Sequence, residues 1–180
     1  MRPLTFLRDW LEENANEDHY LFSFRDLRIL FPSHSESAYR TILSRATSSG
    51  VLLRICQGIF IYKKAFKSIN NGLILFRVAS LLRPFNFNYI SLETALSEAN
   101  IISQIPPKWI TLMTTGRSNI FSCGDFGTIE FIHTFKKPHQ LVDGIYYDHS
   151  CGLWRATIPQ ALNDMKYARR NMDLVQGKTR

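Results

Sequence analysis

The side chains with chemical potential in this chain fall into three sets: scattered acids, a loose group of soft and imidazole ligands, and a file of hydroxyls and cations. Metal-assisted phosphoryl transfer needs paired carboxylates, typically downstream of a Gly-Ser turn, to hold the ions that align phosphates. Gly116-Arg117-Ser118 followed by Asp125 imitates that arrangement, but position 127 is glycine and the D-x-D pair is missing. Asp125-Phe126-Gly127 stands without the other motifs of a kinase. A restriction-type nuclease needs an acid-x-lysine pair on a strand, and Glu130 is followed by Phe131 and Ile132. His139, His149 and Cys151 are ligands that zinc accepts, at a spacing that matches no standard site. Arg117 and Glu130, flanking an expected strand pair, read as an ion pair or a small binding site, with a solvated pair as the default. The expectation is a protein that is not an enzyme and carries no cofactor or metal.

The hydroxyls and cations are better organised. A rotation of about 100° per residue puts Ser37, Arg40, Thr41 and Ser44 on one helical face, opposite Ala38, Tyr39, Ile42, Leu43 and Ala46. Small hydroxyls and an arginine can reach the floor of a DNA major groove, where each can hydrogen-bond to bases or phosphates. An ordinary solvated face is the alternative. Charge is concentrated around it: the formal net charge is +7, and residues 23 to 67 alone carry +6 while residues 1 to 22 carry −3. The expected DNA-contacting set is Ser35, Ser37, Arg40, Thr41, Ser44, Arg45, Arg54, Gln57, Lys63 and Lys64, with Lys67 extending the charge.

The elements that must position this set can be read in order. Leu4, Leu7 and Leu11, beside Phe6 and Trp10, predict an amphipathic first helix ending near Asn14 to Asp18. Ser23 is a cap for a short helix over Arg25 to Phe31, with Asp26 in its first turn and Pro32 stopping it. Ser35 caps a third helix running to about Ser48, closed by Gly50. Val51 to Ile55 and Ile59 to Tyr62 surround Cys56-Gln57-Gly58, a hairpin signal. Three helices and a hairpin are the order of a winged helix, the hairpin being the wing. A winged helix can also dock proteins, so a protein-interaction adaptor is the competing reading.

Downstream, Asn70-Asn71-Gly72 reads as a hinge with the domain boundary near residues 68 to 72. Leu73 to Arg83 predicts a helix stopped by Pro84, with Phe76, Ala79 and Leu82 inward. Ser91 predicts the cap of a helix bearing Leu92, Ala95, Leu96 and Ala99, which Pro106-Pro107 separates from a strand at Trp109 to Thr115. Further strands are expected at Thr128 to Thr134, Gly144 to Tyr147 and Leu153 to Ala156. Thr157-Ile158-Pro159-Gln160 reads as a T-x-x-Q capping box opening a helix whose buried stripe is Ala161, Leu162, Met165, Ala168 and Met172. The fold class is therefore α+β: an N-terminal winged helix-turn-helix domain over 1–68, a mixed α/β domain over 72–175, and a frayed tail over 176–180.

Three cysteines, Cys56, Cys123 and Cys151, are an odd count without a CxxC pair, which fits a reducing cytoplasm better than a disulfide framework. No stretch approaches the roughly 20 apolar residues of a membrane span, and the start of the chain lacks a signal-peptide pattern. No heptad argues for a dedicated dimer interface, so monomer and dimer both stay open.

The motif order resembles the AbiEi-type antitoxin family, transcriptional autoregulators of type IV toxin–antitoxin systems linked to abortive phage infection. The resemblance covers most of the chain and is carried by Ser37 to Tyr62, with Leu43-Ser44-Arg45 and Gly58-Ile59-Phe60; by Tyr89 to Leu96; by Gln104-Ile105-Pro106; by Thr114-Thr115-Gly116-Arg117; by Ile129 to His133; and by Ala156 to Asp164. Where the family usually reads A-T-P-E-x-A-L-x-D, Ile158-Pro159-Gln160 moves the proline by one position and removes the acid. The resemblance implies a prokaryotic, cytoplasmic repressor whose winged helix binds double-stranded operator DNA. It also implies a C-terminal domain that counters a nucleotidyltransferase-like toxin without a stable complex. A solitary winged-helix regulator without a toxin is the alternative.

Overall fold

The computed structural model describes residues 2–66, 72–103 and 108–176, so Lys67, Asn70, Asn71, the segment from Gln104 to Pro107 and the last four residues of the tail lie outside the described residues. The chain is α+β and divides into two compact units, Met1–Asn71 and Gly72–Arg180. Among the described residues, no helix is long and apolar enough to cross a membrane.

The first unit runs α1 (Pro3–Asn14), β1 (Leu21–Ser23), α2 (Phe24–Arg28), α3 (Glu36–Ser48), β2 (Leu52–Cys56) and β3 (Ile59–Tyr62). Its strands form an antiparallel sheet in the order β1-β3-β2. Leu7 and Leu11 of α1, Leu27 of α2, and Tyr39, Ile42, Leu43 and Ala46 of α3 meet Leu52 and Phe60 in one buried cluster. The helical spacing of those apolar residues is what lets three helices share one core.

Two local features differ from expectation. Strand β1 is a three-residue element whose partner, Ile59 to Ile61, lies almost forty residues on, and nothing local announces it. Helix α2 ends at Arg28, short of the expected Phe31. The Arg28 guanidinium turns back to donate to the carbonyls of Phe31 and His34, the latter at 2.7 Å, which satisfies these oxygens outside any helix and lets Phe31 drop into the core. The stop is an arginine clasp, ahead of Pro32. Ser23 does cap α2, accepting from Asp26 N at 3.2 Å while the Asp26 carboxylate accepts from Ser23 N at 2.7 Å.

The second unit runs α4 (Ile74–Leu82), β4 (Asn88–Ile90), α5 (Leu92–Glu98), β5 (Trp109–Thr114), β6 (Asn119–Ser122), β7 (Thr128–His133), β8 (Ile145–Asp148), β9 (Leu153–Ala156), α6 (Ile158–Tyr167) and the short α7 (Asp173–Gln176). Six strands form a mixed sheet in the order β6-β7-β5-β4-β9-β8. Strand β5 is parallel to β7 and antiparallel to β4, and β4 is parallel to β9. Strands β4 and β6 have no counterpart among the expected elements.

Asp164, 1% exposed, organises this unit and overrides two expected caps. Its carboxylate accepts from Tyr89 Oη at 3.0 Å, Ser91 Oγ at 2.7 Å and Gln160 Nε2 at 2.7 Å, with Lys136 Nζ at 3.7 Å. A buried carboxylate must be matched by donors, and it recruits the nearest ones. Gln160 is thereby withdrawn from the T-x-x-Q capping box, and Thr157 makes no side-chain cap. Ser91 is likewise withdrawn from α5, where Leu92 takes a left-handed φ of 57° and the hydroxyl of Thr111 on β5 accepts from Thr94 N instead. Helix α6 ends at Tyr167, so its buried positions are Ala161, Asp164 and Met165, and Met172 lies beyond it. Ala99 of the expected α5 stripe is exposed, and Thr94 is buried within the helix.

These contacts set two stability outcomes, read by urea or thermal unfolding. Asp164→Ala strands the Tyr89 and Ser91 hydroxyls and is expected to cost about 3–5 kcal/mol, whereas Thr157→Ala stays within about 0.5 kcal/mol. A loss near 1 kcal/mol at Thr157 would restore the capping box. At the β8–β9 hairpin, the Ser150 hydroxyl, with Arg155 behind it, holds the Asp148 carboxyl at about 2. That depressed value means the contribution is complete above about pH 4, where the unfolded carboxyl is also ionised, and is lost as pH falls toward 2. Asp148→Asn should remove that part of the acid dependence and leave the rest of the pH profile in place.

Candidate nucleic-acid interface

Helix α3 starts where Ser35 accepts from Ala38 N at 3.2 Å, and Ser37 Oγ lies 3.1 Å from Ser35 Oγ. From there Ser37, Arg40, Thr41, Ser44 and Arg45 are all exposed, while Tyr39, Ile42, Leu43 and Ala46 are buried. Thr41 Oγ1 donates to Ser37 O at 3.0 Å, so its proton is engaged and its lone pairs face outward. Arg40 donates to Glu36 at 2.6 Å one turn earlier and lies 5.1 Å over the Phe24 ring. That pair is solvent-exposed at both ends and holds Arg40 by only about 0.3–0.5 kcal/mol.

Between α3 and the hairpin runs a groove of about 510 Å³. Arg40, Ser44, Thr47 and Ser48 form one wall, Arg54 and Gln57 the other, and Phe24, Leu43 and Phe60 the floor. Among the described residues, no carboxylate lines it. Four members of the expected set, Arg40, Ser44, Arg54 and Gln57, are thus brought together, while Ser35 at the cap of α3 and Ser37, Thr41 and Arg45 on α3 itself stay exposed outside the lining. Thr47 and Ser48 were not in the expected set. Their signal was available, because they continue the Arg40–Ser44 row at three- and four-residue spacing. Phe24, sixteen residues before Arg40, gave none.

Lys63 and Lys64 lie elsewhere. Both are exposed beyond β3, and Lys64 is paired with Glu12 of α1 beside Asn16 and Glu17. This contact holds the Glu12 carboxyl below its usual range and raises the Lys64 ammonium. Lys64 therefore stands next to acids, whereas Arg54 lines a groove that holds none among the described residues.

The width of the groove is fixed by a chain of polar contacts. Gly58, at φ +73° in the hairpin turn, accepts from Phe24 N at 2.6 Å, and Phe24 O accepts from Tyr39 Oη at 2.7 Å. The turn, the start of α2 and the first turns of α3 are thereby joined. Burial pushes the Tyr39 phenol well above its ordinary value, so it remains a donor across the working pH range.

In the second unit the other expected candidates are dispersed. Asp125 is exposed in the turn Gly124–Phe126, where Lys108 Nζ donates to its backbone oxygen at 2.7 Å. Glu130 pairs with Arg170 and accepts from Trp109 Nε1 at 3.2 Å, so its partner is Arg170 and not Arg117. His139 is exposed in the turn Pro138–Gln140, His149 packs on Tyr147 at 4.8 Å, and Cys151 is buried. Among the described residues, no three His, Cys, Asp or Glu side chains gather closely enough to hold a metal ion. No family model and no curated protein matches this sequence.

Tyr39→Phe keeps the packed ring and deletes the bond to Phe24 O. A loss of about 1–2 kcal/mol in thermal unfolding is expected. Unchanged stability would mean that the groove is held by packing alone.

Proposed function

We propose that the first unit is a winged helix-turn-helix that binds double-stranded operator DNA, and that the chain acts in the prokaryotic cytoplasm as an AbiEi-type antitoxin and autorepressor. The observation that carries this reading is the convergence of Arg40, Ser44, Arg54 and Gln57 on one groove, lined by no carboxylate among the described residues, between a capped helix and a hairpin. The order helix, strand, two helices, hairpin, with the sheet order β1-β3-β2, supports the winged-helix part. The motif order shared with the family supports the antitoxin part, with a nucleotidyltransferase-like toxin as functional partner and no stable complex between them.

In this mechanism α3 enters the major groove. Arg40 exchanges its weak bond to Glu36 for a base edge or phosphate, and the neighbouring hydroxyls of Ser37, Thr41 and Ser44 follow the groove floor. The hairpin lays Arg54 and Gln57 along the adjoining backbone, which fixes register without reading sequence. Lys63 adds to the backbone field, and Lys64, held by Glu12, adds less.

Anisotropy titrations with the DNA upstream of the gene and with random duplex test this directly. Arg40→Ala should cost about tenfold on the specific site and narrow the gap to random DNA. Arg54→Ala and Lys63→Ala should weaken both duplexes alike and flatten the salt slope by about one unit per lost phosphate contact. Equal losses on both duplexes for Arg40→Ala would remove α3 from the reading role, and no preference for the upstream DNA would end the repressor proposal. Antitoxicity is tested by co-expression with the neighbouring nucleotidyltransferase-like gene, where growth rescue is the expected result.

A further inference from the structure

Thr114-Thr115-Gly116-Arg117 and Ile129 to His133 are motifs that duplex binding by the first unit leaves unused. Both end at the same corner of the second unit, because β5 and β7 are parallel and finish side by side at Thr114 and His133. In open sheets, the carboxyl ends of parallel strands are a common place for ligands.

The corner is built around Arg83, at the end of α4. Its guanidinium lies 4.5 Å over the Phe131 ring and 5.9 Å from Phe121, two rings that pack edge to face at 5.9 Å. It is half-buried, and no carboxylate or carbonyl accepts from it among the described residues. Burial lowers its pKa and no acid offsets that effect. A planar cation with five donors, fixed on aromatic faces and left without an acceptor, is suited to an oxyanion. Gly116 makes room for it: a Cβ there would come within 2.6 Å of Arg83 Nη1 and 3.0 Å of the Asn86 side chain. Arg117 follows, exposed and without an ion pair among the described residues.

Beside the cations stands a stacking surface. His133 Nδ1 is 2.7 Å from Gly116 O, and since a carbonyl only accepts, Nδ1 carries the proton. The Phe135 ring meets this imidazole at 4.5 Å and is 81% exposed. The nearby acid Glu130 alternates to the opposite face of β7 from Phe131 and His133 and is occupied by Arg170. Cations without acids would serve a carboxylate as well as a phosphate, but an exposed ring next to them favours a ligand that brings a base to stack.

We propose that this corner, formed by Arg83, Asn86, Arg117, His133 and Phe135, binds the phosphodiester and base of a single-stranded nucleic acid. It is a site separate from the duplex groove of the first unit. Arg83 and Arg117 take phosphate oxygens, and Phe135 takes a base face.

The experiment uses the full-length protein with fluorescent 12-nucleotide oligouridylate and oligothymidylate, and a random duplex as a third probe. Binding of either strand is the expected result, and preference between them tells RNA from DNA as the source. Arg83→Ala, Arg117→Ala and Phe135→Ala should each weaken single-strand binding about tenfold and leave duplex binding unchanged. The two arginine variants should also flatten the salt slope by about 0.7 per lost contact. Arg54→Ala and Lys63→Ala should do the reverse, so failure of this site and failure of the duplex site are told apart. Arg117 is exposed and without an ion pair among the described residues, so its removal should leave the fold intact; Arg83→Lys keeps the charge but not the flat stack and should still lose affinity. Single-strand binding that is absent, that survives Arg83→Ala and Arg117→Ala, that falls equally with Arg40→Ala, or that poly-glutamate displaces as well as oligonucleotide does would overturn the proposal.

Discussion

A single path of hydrogen bonds, from the Tyr39 hydroxyl to the Phe24 carbonyl and from the Phe24 amide to the Gly58 carbonyl, decides the geometry of the first unit. It ties the hairpin turn to α2 and α2 to α3, three elements that side-chain packing alone would leave free to slide. The Phe24 ring uses the same position twice, packing on Tyr39 at 4.7 Å and lying under Arg40. Both walls of the groove are consequently referred to one residue. A buried phenol with a raised pKa keeps the path intact over a wide pH range, and a glycine with positive φ lets the turn present its carbonyl at no steric cost.

The second unit is built on a different constraint. Burial of the Asp164 carboxylate obliges the neighbourhood to supply donors, and the sheet and two helices comply through Tyr89, Ser91 and Gln160. A polar node of this kind gives up its worth if any one partner is missing, so it favours a unique arrangement over loose packing. Arg83 has the opposite character. It is half-buried against two phenylalanines and finds no acceptor among the described residues, where Asp164 finds three donors, and that imbalance separates a structural polar group from one disposed toward a ligand.

Much of the first unit could be read from local sequence. The period of Leu7, Leu11, Tyr39, Ile42, Leu43 and Ala46, the caps at Ser23 and Ser35, and the Gly58 turn are all encoded within a few residues of where they act. The end of α2 could not, because the Arg28 clasp reaches six residues forward to His34. Thr157 and Ser91 each have the right residue type in the right place for a cap. Both lose that role to Asp164, which is 73 residues from Ser91 in the chain. An acid on an otherwise apolar helical stripe was the one local hint that donors elsewhere would be taken.

The candidate site divides in the same way. Sequence by itself determined the outward face of α3, the concentration of positive charge and the hairpin, since each depends on periodicity, composition or turn chemistry over short spans. Only the tertiary structure decided that Arg54 and Gln57 face Arg40 and Ser44 across one groove, that Lys64 is held by Glu12, and that Arg83 and His133 both come up against Gly116. Those outcomes depend on which strands pair and on which buried group claims which donor. Such choices are settled by competition among distant residues for the same few partners, and no local window contains all of the competitors.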